Sequence, residues 1–475
     1  MNRLAIQEID NYRKLDSAYL DTRLGQALKG IERKILVLDD DPTGVQTVHG
    51  IAVYTDWELE SIRNMYDEAE SMVFILTNSR GMTQEETQQI HTEIMQRVVQ
   101  VSNERQQKFL IISRSDSTLR GHYPLETEVI RKTVEALTPI RYDGEVIFPF
   151  FQEGGRYTIR DIHYVKEGYE LMPAGDTEFA SDKTFGYTAS NLKDWCEEKT
   201  GGKYLASSVT SISLEDLRAV NIEKICDQLI NVTDFNKIIV NAVGYDDVKV
   251  FVLALMKAIG QGKEFLFRSA ASLTKILGNV SDKPLLTKKD LIQINTTQGG
   301  IVIIGSHVNK TSKQLEALSA SSLPIMTIEF NQHLVMAPKG LEPEVQRVVE
   351  LAESNLVQGK TVVIYTRRDR FDLQTDNKEE QLKVSVRISD SLTSVIQRIS
   401  VSPSFIIAKG GITSSDVGTK ALKVKRALVM GQVKPGIPVW MTGKESKYPN
   451  MPYVIFPGNV GEVETLKEIV AELMQ

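Results

Sequence analysis

The stretch Lys34–Gly50, KILVLDDDPTGVQTVHG, decides how the rest of the chain is read. Ile35, Leu36, Val37 and Leu38 form the unbroken apolar run of a parallel strand covered on both faces. Asp39, Asp40 and Asp41 follow at its carboxyl end, where open α/β sheets bind their ligands. Three adjacent carboxylates repel one another, so a fold keeps them together when a cation, a hydroxyl or a cationic side chain compensates. A solvated acidic turn closed by Pro42 and Gly44 is the plainer alternative.

Working outward, apolar runs recur at 72–76, 108–112, 145–148, 237–240 and 264–267, with helical spacing between them. The clearest helix spans 83–106 and opens on the capping box Thr83-Gln84-Glu85-Glu86. A second series of runs follows at 301–304, 324–328, 361–365, 404–407, 426–429 and 452–456. This alternation predicts an α/β protein of two domains, each a mostly parallel sheet flanked by helices, with the active site in the interdomain cleft. The expected boundaries are an N-terminal helical extension over 1–33, a first domain over 34–275, a linker over 276–300 and a second domain over 301–475. The poorly periodic segment 151–210 reads as a loop-rich insertion in the first domain.

The 475 residues exceed the usual size of one core. A net charge of −6, with no dense Lys/Arg stripe, argues against a nucleic-acid binder. Cys196 and Cys226 are the only cysteines and have no metal-ligand spacing, which fits a reduced cytoplasmic setting. No stretch approaches the roughly 20 apolar residues of a membrane helix, and the N-terminus lacks a signal-peptide core. A soluble cytoplasmic protein is expected.

Several first-half strands end in polar groups of one character. They are Asp39–Asp41, Thr77-Asn78-Ser79-Arg80, the run Ser113–His122 containing Arg114, Asp116 and Arg120, and Glu153-Gly154-Gly155-Arg156. Parallel strands bring such ends to one edge. The mixture suits a small polyhydroxylated acid, because a carboxylate wants the planar fork of Arg and hydroxyls want Asp and Asn. Asp39-x-Asp41-x-Thr43 also matches the start of haloacid-dehalogenase-type phosphatases, in which the first Asp attacks phosphorus. The downstream acidic pair which that chemistry needs for Mg²⁺ follows no apolar run here.

The second half is rich in loops that offer backbone donors. Strand 301–304 leads into Gly305–Ser312, and Thr311-x-x-Gln314 can cap the next helix. Strand 404–407 leads into Lys409-Gly410-Gly411-Ile412-Thr413-Ser414, with Thr413-x-x-Asp416 as a capping box. Gly431–Gly436 is read as a third such loop. Glycines before a helix expose amides where the helix dipole favours phosphate, so the three loops together point to a nucleotide. Gly359-Lys360-Thr361 is no Walker motif, because it precedes a strand and Ser354 stands where a glycine is required.

These motifs together resemble the four-carbon acid sugar kinases, the DUF1537 family, over about 34 to 470. The carriers are LDDDPTGVQTVHG, TNSR, SRSDSTLRGHYPLE, GSHVNKTSKQLE, AKGGITSSDVGTKAL, GQVKPGIPVW and FPGNVG. The resemblance implies an N-terminal acid-sugar-binding domain and a C-terminal nucleotide-binding domain that transfer the γ-phosphate of ATP to a hydroxyl of a tetronate or 3-oxo-tetronate. It implies substrate binding by Asp39, Asp41, Asn78, Arg80, Arg114, Asp116 and Arg120; within that set Asp41 or Asp116 is the expected catalytic base. Nucleotide binding falls to Ser269, Ser272, Ser306, Lys310, Thr311, Gly410, Gly411, Thr413, Ser414 and Gly436. ATP and Mg²⁺ are the implied cofactors, with no protein metal ligands assigned; a homodimer is allowed, and no nucleic acid or membrane partner is expected. The first loop departs from the family, which often reads DDxTGAxD. The alternatives are a phosphatase using Asp39 as nucleophile and a non-enzymatic sugar-acid binding protein. His49 and His122 lie near site loops, where packed histidines are the commoner case.

Overall fold

A computed structural model describes residues 2–30, 32–292, 297–373 and 378–474. The chain divides into two compact units, Met1–Val48 with Asp56–Asp282, and His49–Thr55 with Lys283–Gln475. The short segment His49–Thr55 therefore leaves the N-terminal sequence to join the second unit, an excursion that periodicity did not reveal.

The first unit is built on a parallel sheet ordered Thr210–Ile212, Asn236–Val240, Gly144–Phe148, Phe265–Ser269, Lys108–Arg114, Arg33–Asp39, Met72–Leu76. Ile35, Leu36 and Val37 are fully buried, as the unbroken apolar run requires. The chain passes from Arg33–Asp39 to Met72–Leu76 on one side and then to Lys108–Arg114 on the other. A topological switch point thus lies between Arg33–Asp39 and Lys108–Arg114, the place where such sheets form a crevice. Helix Gln84–Arg105 starts at the expected capping box, with the Thr83 hydroxyl accepting from the Glu86 amide at 3.2 Å and the Glu86 carboxylate from the Thr83 amide at 2.8 Å.

The segment 151–210 is more ordered than its composition suggested. It contributes an antiparallel sheet in which Arg156–Ile159, Ile162–Glu167 and Glu170–Pro173 follow one another and Leu4–Ala5 pairs with the last. These strands are short and joined by the two-residue turns Arg160-Asp161 and Gly168-Tyr169, so no long apolar run announces them. The 1–33 extension holds helix Ser17–Leu28 as well as that edge strand.

The second unit carries a mixed sheet ordered Ala52–Tyr54, Arg426–Lys434, Ile437–Thr442, Pro452–Phe456, Ile406–Lys409, Ile301–Ile304, Thr361–Thr366, Ile325–Phe330. The last five are parallel and the first three antiparallel. Its switch point lies between Ile301–Ile304 and Ile406–Lys409. The expected loop Gly431–Gly436 is corrected here. The strand runs on through Gly431 to Lys434, with register shifts on either side of it, and only the turn before Ile437 is loop. The signal was the alternation of buried Ala427, Val429, Gly431 and Val433 with less buried neighbours.

Among the described residues no helix is long and apolar enough to cross a membrane. Both cysteines are buried free thiols. In the first unit Lys237 and Glu145 form a fully buried ion pair at 2.5 Å. Replacing Lys237 by Met leaves Glu145 buried without its cation and is expected to cost about 3–5 kcal/mol, whereas K237M combined with E145L recovers most of that loss. Chemical denaturation of both variants checks this, and equal losses would contradict it.

Candidate functional site

The edge of the first sheet is assembled by register. Asp39 sits opposite Arg114 on the neighbouring strand, and the Arg114 guanidinium donates to its carboxylate at 3.3 Å. Asn78 takes a left-handed conformation, φ 56°, which turns the chain after Met72–Leu76. Arg80, two residues on, then donates from Nε and Nη2 to the two Asp40 oxygens at 3.0 and 2.5 Å. It also reaches Asp41 at 3.4 Å. The Asp41 carboxylate is closed from the other side by the Thr43 amide, 2.9 Å, and hydroxyl, 2.6 Å. Gly44 is required here, because a Cβ at that position would overlap the Asp39 carboxylate.

The three carboxylates are not equivalent. Burial pushes Asp39 up to about 8, with Arg114 pulling the other way and Asp40 and Asp41 adding to the rise. Burial also raises Asp40 against the pull of Arg80. For Asp41 the opposing contributions win: burial raises it, but Arg80 and the Thr43 hydrogen bonds hold it below the ordinary carboxylate value. The Asp41 side chain keeps 18% exposure against 2% for Asp40. Asp41 is thus the ionised, reachable member of the triplet.

Asp116 is the second ionised carboxylate at this edge. It accepts from Arg120 Nε at 2.7 Å and from the Thr118 hydroxyl. Burial opposes its charge, but Arg80, Arg120 and these hydrogen bonds hold it well below the usual range. Beneath the loops Glu126 accepts from Ser79 at 2.6 Å and from Ser115 at 3.3 Å, tying two strand ends together. Sequence reading gave Glu126 no role, although it closes the quoted SRSDSTLRGHYPLE run. His122 is packed, with Nε2 against the Met82 carbonyl at 3.0 Å and its ring edge-on to Phe185.

The second unit builds its own edge at its switch point. Gly410 has φ 118°, and helix Gly411–Asp416 starts directly after it. Thr413 therefore lies inside the helix, and the capping box proposed for it does not form. Asp416 accepts from Ser389 at 2.7 Å and pairs with Lys420 instead. Likewise helix Asn309–Ser319 begins at Val308 without a side-chain cap, and the Thr311 hydroxyl donates to Ser306 at 3.1 Å. Its first amides are left for another acceptor. The loops holding Gly305, Gly410 and Gly458 meet closely: a Cβ on Gly305 would overlap the Thr413 hydroxyl, one on Gly410 would lie 3.2 Å from Ser306 Cβ, and one on Gly458 3.1 Å from Ser306 Oγ.

Two cations stand in this edge without a carboxylate partner among the described residues. Lys409, fully buried, donates to the Pro457 carbonyl at 3.0 Å and lies 3.6 Å from the Phe456 ring centroid. Burial, with Lys310 nearby, pushes its ammonium down to about 7. Arg368, which sequence reading missed, donates to the Ser306 carbonyl at 2.7 Å and to Ser312 at 3.0 Å, and its Nη1 is buried without a partner.

Asp39, Asp41, Asn78, Arg80, Arg114, Asp116 and Arg120 thus share the edge of the first sheet. Ser306, Lys310, Thr311, Gly410, Gly411 and Thr413 share that of the second. Gly436 sits in the hairpin turn at the same edge, where a Cβ would lie 3.2 Å from Val460. Ser414 turns its hydroxyl inward to the Ala408 carbonyl at 2.8 Å. Ser269 and Ser272 lie in the first unit, as the expected bounds place them: the Ser269 carbonyl accepts from the Ser115 amide at 2.9 Å, and the Ser272 hydroxyl from the Gln152 amide at 3.4 Å.

Comparison with curated proteins finds no match. Among solved structures, a Haemophilus influenzae protein of the DUF1537 family superposes with a TM-score of 0.59 at 15% identity, covering 93% of this chain and 100% of that one. A Salmonella typhimurium LT2 protein, provisionally named a tRNA synthase, gives a TM-score of 0.62 at 14% identity, covering 92% and 98%. At these identities they establish a shared fold. Residues 35–277 match the sugar-binding N-terminal domain and residues 301–466 the nucleotide-binding C-terminal domain. The chain therefore belongs to the family that joins these two domains, the four-carbon acid sugar kinase architecture known as DUF1537.

Proposed function

We propose that the protein is an ATP-dependent kinase acting on a hydroxyl of a small four-carbon acid sugar, such as a tetronate or 3-oxo-tetronate. The observation that carries this reading is that each unit builds a polar edge at its own switch point. A sugar-binding domain gathers ionised Asp41 and Asp116 beside arginines at its switch point, and a nucleotide-binding domain gathers uncapped amides and cations at its own.

Phosphoryl transfer rests mainly on positioning and charge stabilisation. The Gly410 loop and the first turn of Asn309–Ser319 would hold phosphate oxygens on amides, with Lys310, Lys409 and Arg368 supplying positive charge. The hydroxyls of Ser306 and Thr413 fit Mg²⁺ that arrives on the nucleotide phosphates; such an ion would neutralise charge there. Of Asp41 and Asp116, one would accept the proton of the attacking hydroxyl while the other orients it. Asp39, buried and shifted up to about 8, is a poor nucleophile, which weighs against the phosphatase alternative.

ADP release in the presence of ATP–Mg²⁺ and a panel of tetronates tests the reaction, and no acid-dependent release with any of them would overturn it. D41N and D116N are each expected to lower kcat by about 10²–10⁴-fold, the usual worth of a positioned acid–base group, with nucleotide affinity unchanged.

Lys409 gives a pH dependence. An anion favours the charged ammonium and raises its pKa, so ATP affinity should be highest below about 7 and fall as pH rises through that value. Nucleotide binding should take up protons just above pH 7. Calorimetry in buffers of different ionisation enthalpy reads the uptake. K409M should abolish it and weaken binding roughly 10–100-fold, as loss of a charge-assisted contact implies.

A further inference from the structure

A sugar acid brings a carboxylate as well as hydroxyls, and on the reading above the first unit must balance that charge. Three of the arginines that the sequence offered for this task are already engaged. Arg80 is held by Asp40 and Asp41, Arg114 by Asp39 at 3.3 Å and Arg120 by Asp116 at 2.7 Å. Asp182 also faces Arg120, at 3.9 Å.

Arg156 is different. Among the described residues no carboxylate lies within ion-pair distance of it. Its Nη1 donates to the Gly154 carbonyl, and its Nε is buried with no partner. Burial pushes the guanidinium down from its ordinary value, with Asp116 pulling it back up and Arg120 opposing. Its guanidinium carbon lies 5.7 Å from the Phe179 ring centroid, and that of Arg120 lies 5.0 Å from the same ring. One aromatic side chain therefore gathers both cations beside Asp116.

We infer that Arg156, with Phe179 behind it, seats the carboxylate of the sugar acid and so selects acids over neutral four-carbon polyols. A planar guanidinium with an unused buried donor matches a carboxylate in a way a lysine would not. The device lies in the antiparallel insertion and not on the parallel sheet. Asp41 and Asp116 are left for the hydroxyls.

Calorimetric binding of threonate and erythronate, and of the matching tetritols, to the full chain without nucleotide tests this. R156M should weaken acid binding roughly 30–100-fold, as loss of a buried charge-assisted pair implies, and leave tetritol and ATP affinities unchanged. R156K should recover part of the loss and keeps the test alive should R156M fail to fold. Acid binding by R156M within twofold of wild type, or equal losses for acids and tetritols, would overturn the assignment. So would failure of every acid to bind the wild-type chain. Wild-type protein that binds acids through Arg156 yet transfers no phosphate would refute the kinase reading and leave this one standing.

Discussion

Charge compensation across the switch point of the first sheet is the constraint on which the rest depends. Asp39, Asp40 and Asp41 cannot all remain at one strand end unless cations answer them, and Arg114 and Arg80 do so from the strands on either side. That requirement fixes the register of three strands, the left-handed turn at Asn78 and the bare Cα of Gly44. It also sorts the carboxylates. The two innermost are pushed towards the neutral acid, and the outer Asp41 keeps its charge. A cluster that looks like one acidic patch is thus a buried scaffold with a single ionised, partly exposed carboxylate.

The second unit reaches a comparable end by the opposite means. Its switch point collects donors with few acceptors to satisfy them: helix starts without caps, a lysine held only by carbonyls and a ring, and an arginine with a buried unused nitrogen. Such an edge carries donors and positive charge in excess of its own acceptors. Hydroxyls expected to cap helices are instead drawn into contacts between loops, which is why the amides stay open.

Much of this was legible in the sequence. The apolar runs that mark the parallel strands are buried on both faces, so their composition carried the signal. The site loops were legible because they follow those runs. What escaped reading lacks such a signature. The strands around 156–173 are short and antiparallel, and the approach of Arg156 to Phe179 is a tertiary contact that no local pattern announces. The hydroxyls of Thr311 and Thr413 matched capping spacings, but the helices begin at Asn309 and Gly411, so spacing misread their task. Which arginines are spent on aspartates is a matter of three-dimensional pairing. Sequence order shows only that both kinds are present.

The excursion of His49–Thr55 into the second unit has a consequence for how the protein is made. Ala52–Tyr54 pairs with Arg426–Lys434, a partner that emerges from the ribosome several hundred residues later. During synthesis Ala52–Tyr54 waits for that partner, and closing so long-range a pairing is slow. The second unit, for its part, lacks a neighbour for Arg426–Lys434 until the early segment is captured. The two halves are therefore stitched together by three chain crossings. Cutting the gene at the apparent linker would separate a strand from its sheet and leave a pairing edge open to other chains.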